Sequence, residues 1–212
     1  MELNNNGFTI LRGFSSTEEV SSIIAEIESS DAFDSSGERN IEQKLSSVKD
    51  WLESKKVNDL LTSVLGEYKF IRGIYFDKIA SRNWHVRWHQ DKTIAVEKKF
   101  EKDGWHSWSL KDGVYHVQPP LEIMEKVLTL RLHLDKTDKT NGCLKVIEGS
   151  HLKGIMSQEE SRGLIQNSGH EFCECHAGDL LLMKPLILHS SDKALVPVHR
   201  RVLHFEFIPF EN

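Results

Sequence analysis

The sequence predicts an α+β chain built on a double-sheet jelly roll, with N-terminal helices packed on the outer face of one sheet. Three observations predict it. Up to about Gly66 the chain carries apolar stripes at helical spacing, whereas from Lys69 onward it reads as short strands. The cleanest strand, Val127 to Asp135, puts Leu128, Leu130, Leu132 and Leu134 on one face and Thr129, Arg131 and His133 on the other. Turn signals, among them Asn141-Gly142, Gly149-Ser150-His151 and Ala177-Gly178-Asp179, divide the later strands into short segments. Helices first and short antiparallel strands after make an α+β chain with two packed sheets. We read residues 1–212 as one domain, with 1–66 as mainly helical support and 67–212 as the jelly-roll core.

Taken in order, Gly7 to Phe14 reads as a short strand and turn. Ser15, Ser16 or Thr17 then caps a helix whose first turn holds Glu18 and Glu19, where the helix dipole favours anions. Val20, Ile23, Ile24 and Ile27 form its apolar stripe. Asp31 to Asn40 reads as a loop. Ile41 to Leu65 carries a second helical pattern, with Leu45, Val48, Leu52, Leu60, Leu61, Val64 and Leu65 as expected buried positions and Gly66 as its stop. Lys69 to Phe76 is the first strand of the core. Residues 94–120 read as a long irregular connection, and its aromatics argue for a lid-like segment over a ligand, not for disorder.

After the leucine strand, Asn141-Gly142 signals a hairpin, with Cys143 to Ile147 as the returning strand. Residues 152–170 read as a short helix and loop, and Glu171 to His176 as a strand. Leu180 to Leu188 reads as an apolar strand in which Pro185 implies a bulge or an edge. The last strand, Arg200 to Phe210, alternates Arg200, Val202, His204 and Glu206 with Arg201, Leu203, Phe205 and Phe207.

Composition narrows the function classes. Apolar residues are 39% and charged residues 28%, as in ordinary globular chains. A formal charge of −5 speaks against nucleic acid or an anionic membrane as partner. No apolar stretch reaches the roughly 18 residues of a membrane span, and no signal peptide is visible. Cys143, Cys173 and Cys175 are read as reduced thiols, which fits a cytoplasmic protein. The oligomeric state is left open.

The chemistry gathers at Trp88-His89-Gln90-Asp91. In extended chain, residues two apart project to the same side, so His89 and Asp91 can aim a ring nitrogen and a carboxylate at one point. That is two thirds of a 2-His-1-carboxylate facial triad, a ligand set that suits Fe(II). The best third ligand is His189, one hundred residues on (189 − 89 = 100).

Four stretches then carry a family resemblance: Trp88-His89-Gln90-Asp91; Asn141-Gly142-Cys143 through Gly149-Ser150-His151; Gly178-Asp179-Leu180-Leu181-Leu182-Met183; and His189-Ser190-Ser191 with Arg200. Their order and spacing resemble the phytanoyl-CoA dioxygenase-like family of Fe(II)/2-oxoglutarate-dependent oxygenases. One departure is Glu148, where the family's usual form has Pro. The resemblance implies a double-stranded β-helix (cupin-like jelly roll), Fe(II) held by His89, Asp91 and His189, and 2-oxoglutarate held by Arg200 and Ser191. O2 and a small or medium organic substrate would complete the reaction, a hydroxylation that releases succinate and CO2.

A guanidinium matches a carboxylate with two parallel donors, which is why an Arg is sought after His189. Arg201 competes with Arg200 for the role; strand alternation favours Arg200, which shares a face with His204 and Glu206. Arg131, Gln118 and Trp105 are candidates for pocket or lid, although the face of Arg131 and His133 could equally be solvated. His85, His151 and His204 are read as structural. Competing functions are a catalytically silent jelly-roll binding module, a halogenase, which Asp91 disfavours, and a zinc hydrolase, which would leave Arg200 unexplained.

Overall fold

The computed structural model describes residues 2–30, 37–196 and 198–210. Among the described residues all strand pairs are antiparallel, and the strands fall into three sheets. The large sheet has six strands, in spatial order β1 (Phe8–Leu11), β11 (Leu180–Met183), β8 (Leu128–His133), β13 (Arg201–Pro209), β3 (Tyr68–Asp77) and β2 (Gly37–Arg39). Facing it is a four-stranded sheet of β10 (Glu171–Cys173), β9 (Leu144–Ile147), β12 (Leu188–Ser191) and β4 (Val86–His89). This is the mixed α+β jelly roll that the sequence predicts, and β1 and β2 are contributed by its otherwise helical front.

The outer face of the large sheet is covered by helices. In α2 (Thr17–Ser29), Ser16 is the cap, with a full capping box: Glu19 N–H donates to the Ser16 hydroxyl while the Glu19 carboxylate accepts from the Ser16 N–H. Val20, Ile23 and Ile27 from this helix pack on Leu128, Leu130, Leu132 and Leu134, as the leucine face of the strand requires. The expected single helical run from Ile41 to Leu65 is instead α3 (Ile41–Lys44), α4 (Ser46–Glu53) and α5 (Lys55–Leu65). Leu45 and Ser54 adopt extended dihedrals and break the run. A straight helix of that length would reach roughly 37 Å at 1.5 Å per residue. The two breaks fold it back, so Ile41, Leu45, Val48, Trp51, Val57 and Leu61 all face the sheet. Leu52, Leu60, Val64 and Leu65 are only partly buried, while Ile41, Trp51 and Val57 are buried positions that the pattern did not single out. Part of the expected 31–40 loop lies outside the described residues; Gly37–Arg39 of it is strand.

Two expectations about connections are corrected. Asn141-Gly142 does not close a hairpin between β8 and β9. β8 pairs with β11 and β13, and β9 with β10 and β12, so the chain crosses from one sheet to the other there. The apolar run from Leu180 to Leu188 is likewise two strands, β11 and β12, in different sheets. Ile187 N–H donates to Lys184 O across the intervening turn, and Pro185, which has no N–H to offer a ladder, sits inside it.

Residues 94–120 are not irregular. They form a third sheet of β5 (Ile94–Val96), β7 (Val114–Gln118) and β6 (His106–Lys111), followed by α6 (Leu121–Met124). Asp112 and Gly113 both have positive φ, as a two-residue hairpin turn demands. Phe100 stands edge-on to Trp105 and Trp108, with ring centroids 4.9 and 5.1 Å away. Trp105 and Trp108 pack against a core of Ile94, Val117, Met124, Val127 and Leu186. The aromatic content that suggested a cover over a ligand is the core of this small sheet. Beyond it, a 3₁₀ turn (Ser150–Lys153) and α7 (Gln158–Asn167) fill the expected helix-and-loop region.

Candidate active site

Between the two larger sheets lies a cavity of about 230 Å³, lined by side chains from β3, β4, β8, β12 and β13. His89 closes β4 and sits opposite His189 of β12 in the ladder. Asp91 follows β4, and its N–H donates to Pro185 O at 2.9 Å, so the turn between β11 and β12 fixes its backbone. Gln90 points the other way and is buried. Its amide donates to Gly154 O and Leu186 O and accepts from Met156 N–H. The alternation expected at Trp88-His89-Gln90-Asp91 therefore has a mechanical counterpart: Gln90 anchors the stretch while His89 and Asp91 face the cavity.

One ligand atom from each of His89, Asp91 and His189 lies within 4.8 Å of the others. His89 Nε2 is 3.7 Å from Asp91 Oδ1, and His189 Nε2 is 3.6 Å from Asp91 Oδ2. Both imidazoles turn Nδ1 to a backbone carbonyl two residues earlier: His89 to Arg87 O and His189 to Ile187 O, each at 2.8 Å. A carbonyl only accepts, so Nδ1 carries a proton, and in the neutral ring it is Nε2 that offers a lone pair toward the cavity. Burial pushes His189 down to about 4, against the pull of Asp91. Burial would raise Asp91, but His189, His89, His204 and Arg72 outweigh it and hold the carboxyl at about 2. The three residues thus offer two imidazole Nε2 atoms and one carboxylate, a donor set that fits Fe(II) or another borderline divalent cation.

A second group, Asp91, His204 and Glu206, also lies within 4.8 Å. It is a hydrogen-bonded network. Arg131 Nη1 donates to His204 Nδ1 at 2.9 Å, so His204 donates from Nε2 to Glu206 Oε1 at 3.1 Å, and Arg72 Nη2 donates to the same oxygen at 2.6 Å. His204, read from the sequence as structural, lines the cavity instead, as do Arg72, Phe76, Trp84 and Val86. The register gave a signal for part of this: Arg72 and Glu206 are direct partners in the β3–β13 ladder, an opposite-charge pair inside a buried strand.

The candidates for an anion site also meet here. Arg200 and Ser191 line the cavity. Arg200 is buried, donates from Nη1 to Gly142 O at 2.9 Å, and has an unpartnered Nε. Burial and the neighbouring Arg131 lower it to about 10. Ser191 donates its hydroxyl to Gly142 O and accepts from Lys78 Nζ at 2.7 Å, so its proton already has an acceptor. Lys78, absent from the sequence-based candidates, is fully buried, and burial and Arg200 bring it to about 7. Gly142 has φ 77°, and a Cβ there would stand 2.5 Å from Asp192 O, so the residue is confined to glycine. Arg201 faces away, paired with Asp135 through two bonds of 2.9 and 2.8 Å and with Glu28 at 2.7 Å.

Of the pocket and lid candidates, Arg131 lines the cavity, while Gln118 and Trp105 do not. Gln118 lies on β7 beside His106, and Trp105 is in the core of the third sheet. Neither could be separated from the site by sequence, because their distance from His89 depends on how that sheet folds. His151 is buried, with Nε2 toward Asn4 O, away from the cavity. His133 is buried without lining it. Among the described residues the three cysteines are free and buried, and no helix is long and apolar enough to cross a membrane.

Comparison with solved structures finds the same fold at low identity. The α-ketoglutarate-dependent epimerase SnoN of nogalamycin biosynthesis superposes with a TM-score of 0.71 at 12% identity, covering 98% of this chain and 80% of that one. HygX from Streptomyces hygroscopicus, solved with nickel and 2-oxoglutarate, gives 0.70 at 15%, covering 98% and 84%. EctD from S. alaskensis, solved with 2-oxoglutarate and 5-hydroxyectoine, gives 0.73 at 16%, covering 98% and 74%. No curated protein matches the sequence significantly. The phytanoyl-CoA dioxygenase (PhyH) family model matches residues 3–202, a span that includes every residue lining the cavity except His204. Across that span, and in its jelly-roll fold, the chain belongs to the phytanoyl-CoA dioxygenase (PhyH) family.

Proposed function

We propose that this protein is an Fe(II)- and 2-oxoglutarate-dependent dioxygenase that hydroxylates a small organic substrate and releases succinate and CO2. One observation carries the reading: two Nε2 lone pairs and a carboxylate converge within 4.8 Å, each imidazole held in that tautomer by a backbone carbonyl. Fe(II), when bound with 2-oxoglutarate and O2, supplies the oxidising chemistry that attacks a C–H bond. His89, Asp91 and His189 would hold the metal on one face and leave its other face to the ligands.

The chain's own residues do the positioning. Arg200, buried and without a carboxylate partner for its guanidinium among the described residues, would hold the far carboxylate of 2-oxoglutarate. Its guanidinium is oriented by Gly142 O, which also receives the Ser191 hydroxyl. For Ser191 to donate to that carboxylate, its proton must leave Gly142 O. Gln90 and the Pro185 carbonyl keep the His89–Asp91 stretch rigid, so a misplaced ligand set is not one of the easy distortions. The walls formed by Ile74, Phe76, Val86 and Leu144 shield the site from water.

A cavity of about 230 Å³ is at the small end beside the roughly 300–1,000 Å³ of drug-sized sites, which favours a compact substrate beside the co-substrate. Among the solved neighbours, EctD carries the compact 5-hydroxyectoine, whereas HygX carries the larger hygromycin B. SnoN, an epimerase, shows that this fold also hosts an outcome other than hydroxylation. Asp91 in the triad speaks against the halogenase reading. Three buried free thiols favour a cytoplasmic, reducing location.

The test is succinate formation from 2-oxoglutarate with the purified protein, with and without Fe(II), followed by a substrate screen for oxygen consumption. Iron-dependent succinate release supports the reading. A protein that binds iron and 2-oxoglutarate yet never forms succinate with any substrate would be a binding module.

A further inference from the structure

The reading above uses one of three cavity arginines; of the other two, Arg72 is paired with Glu206 and Arg131 has no such carboxylate bond among the described residues. Arg131 and Arg200 are 7% and 4% exposed, yet the bonds they make are to neutral groups: His204 Nδ1 for Arg131 and Gly142 O for Arg200. Both have a buried, unpartnered Nε. They sit at different levels of the cavity. Arg131 is the ladder partner of His204 in β13, and His204 is four residues beyond Arg200, which directly precedes that strand, or roughly 13 Å along an extended chain. At one level His204 brings Arg131 next to Asp91; at the other Arg200 lies with Ser191, Gly142 and Lys78.

Arg131 is also aimed. Glu206, held by Arg72, accepts from His204 Nε2 and so obliges His204 to offer Nδ1 to Arg131. The ring of Phe76 lies 5.9 Å from the guanidinium carbon. A buried guanidinium fixed on two sides, with donors to spare, is arranged to receive an anion.

We propose that Arg131 and Arg200 form a two-point clamp for a short dicarboxylate, one guanidinium per carboxylate, which binds its ligand without metal. The proposal rests on the dioxygenase reading only in naming 2-oxoglutarate as the ligand in the working enzyme. Succinate, as a dicarboxylate of similar length, fits the same clamp and would be retained as a competing ligand.

The experiment uses the full chain freed of metal with EDTA, titrated with succinate, glutarate and butyrate by calorimetry and by tryptophan fluorescence, to which Trp84 in the cavity wall contributes. Succinate and glutarate should bind and butyrate should bind on the order of tenfold more weakly or not at all. Arg131→Leu should weaken succinate about as much as Arg200→Leu, and Arg131→Lys should fall between it and the wild type. Thermal melts of the ligand-free variants separate lost binding from lost folding. If Arg131→Leu does not fold, Arg131→Lys and the wild-type preference for succinate over butyrate still decide the matter. Wild-type protein that binds butyrate as well as succinate, or folded Arg131 variants with affinity within about twofold of wild type, would overturn the clamp. Dicarboxylate binding without iron-dependent succinate formation would leave the clamp standing and sink the reaction. Turnover whose 2-oxoglutarate affinity ignores Arg131 would do the reverse.

Discussion

His189 Nε2 stands 3.6 Å from Asp91 Oδ2, although the two residues come from opposite ends of the core sequence. Two devices bring them together: the β4–β12 ladder, which sets His89 opposite His189, and the Asp91 N–H bond to Pro185 O. A substitution that disturbs either device should therefore act on the site without touching a ligand.

Arg200 and Arg201 are neighbours with opposite tasks, and conservative changes should separate them. Arg200→Lys should raise the KM for 2-oxoglutarate on the order of tenfold, because two parallel donors become one point charge. Arg201→Lys should leave that KM alone and lower stability by about 1–2 kcal/mol, since it loses the paired bonds to Asp135. Steady-state kinetics and urea titration of both variants check this; reversed results would place Arg201 toward the co-substrate.

Stability should fall as pH drops from 7 to 5. His133 is buried and held well below its ordinary value by burial and by Arg131, and burial also lowers His204 and, to about 4, His189. Unfolded histidines take up a proton near 6.5, while these stay neutral in the fold, so each favours the unfolded chain progressively below that pH, by up to about 1.4 kcal/mol per pH unit. The contribution is complete above about 6.5 and lost as pH falls toward the folded values. Urea unfolding in the metal-free protein at pH 7 and pH 5 should show the loss, and His133→Asn should make the slope shallower by about one proton. A slope unchanged by that substitution would mean His133 titrates alike in both states.

Trp105 belongs to packing. Trp105→Ala should destabilise the protein by about 2 kcal/mol, in line with removing a half-buried ring, and leave the KM for 2-oxoglutarate unchanged. A lost KM with intact stability would return the residue to a role over the ligand.

How much of this was legible in the sequence follows from the range of each signal. The leucine face of β8 and the His89-x-Asp91 pair are period-two patterns, written locally, and the residues lie on the sides that alternation assigns them. The same alternation placed Arg200 on the cavity side of β13 and Arg201 on the other. Sheet membership is not local. Asn141-Gly142 has hairpin chemistry, but whether β9 returns along β8 or crosses to the other sheet depends on partners far along the chain. The aromatics of 94–120 marked an ordered segment, but whether they covered a ligand or each other depended on a sheet with no clean alternation. Arg72 as a cavity residue, and Lys78 as the partner of Ser191 behind it, were invisible because a buried cation is recognisable only once its burial is known.

The central claim is that His89, Asp91 and His189 hold one metal ion. The most direct measurement is anomalous diffraction from crystals grown without oxygen with Mn(II) in place of Fe(II) and 2-oxoglutarate added. One manganese peak within bonding distance of His89 Nε2, an Asp91 carboxylate oxygen and His189 Nε2 is the predicted result, absent in His189→Ala crystals. A wild-type map with no peak there, or with manganese bound by other residues, would contradict it.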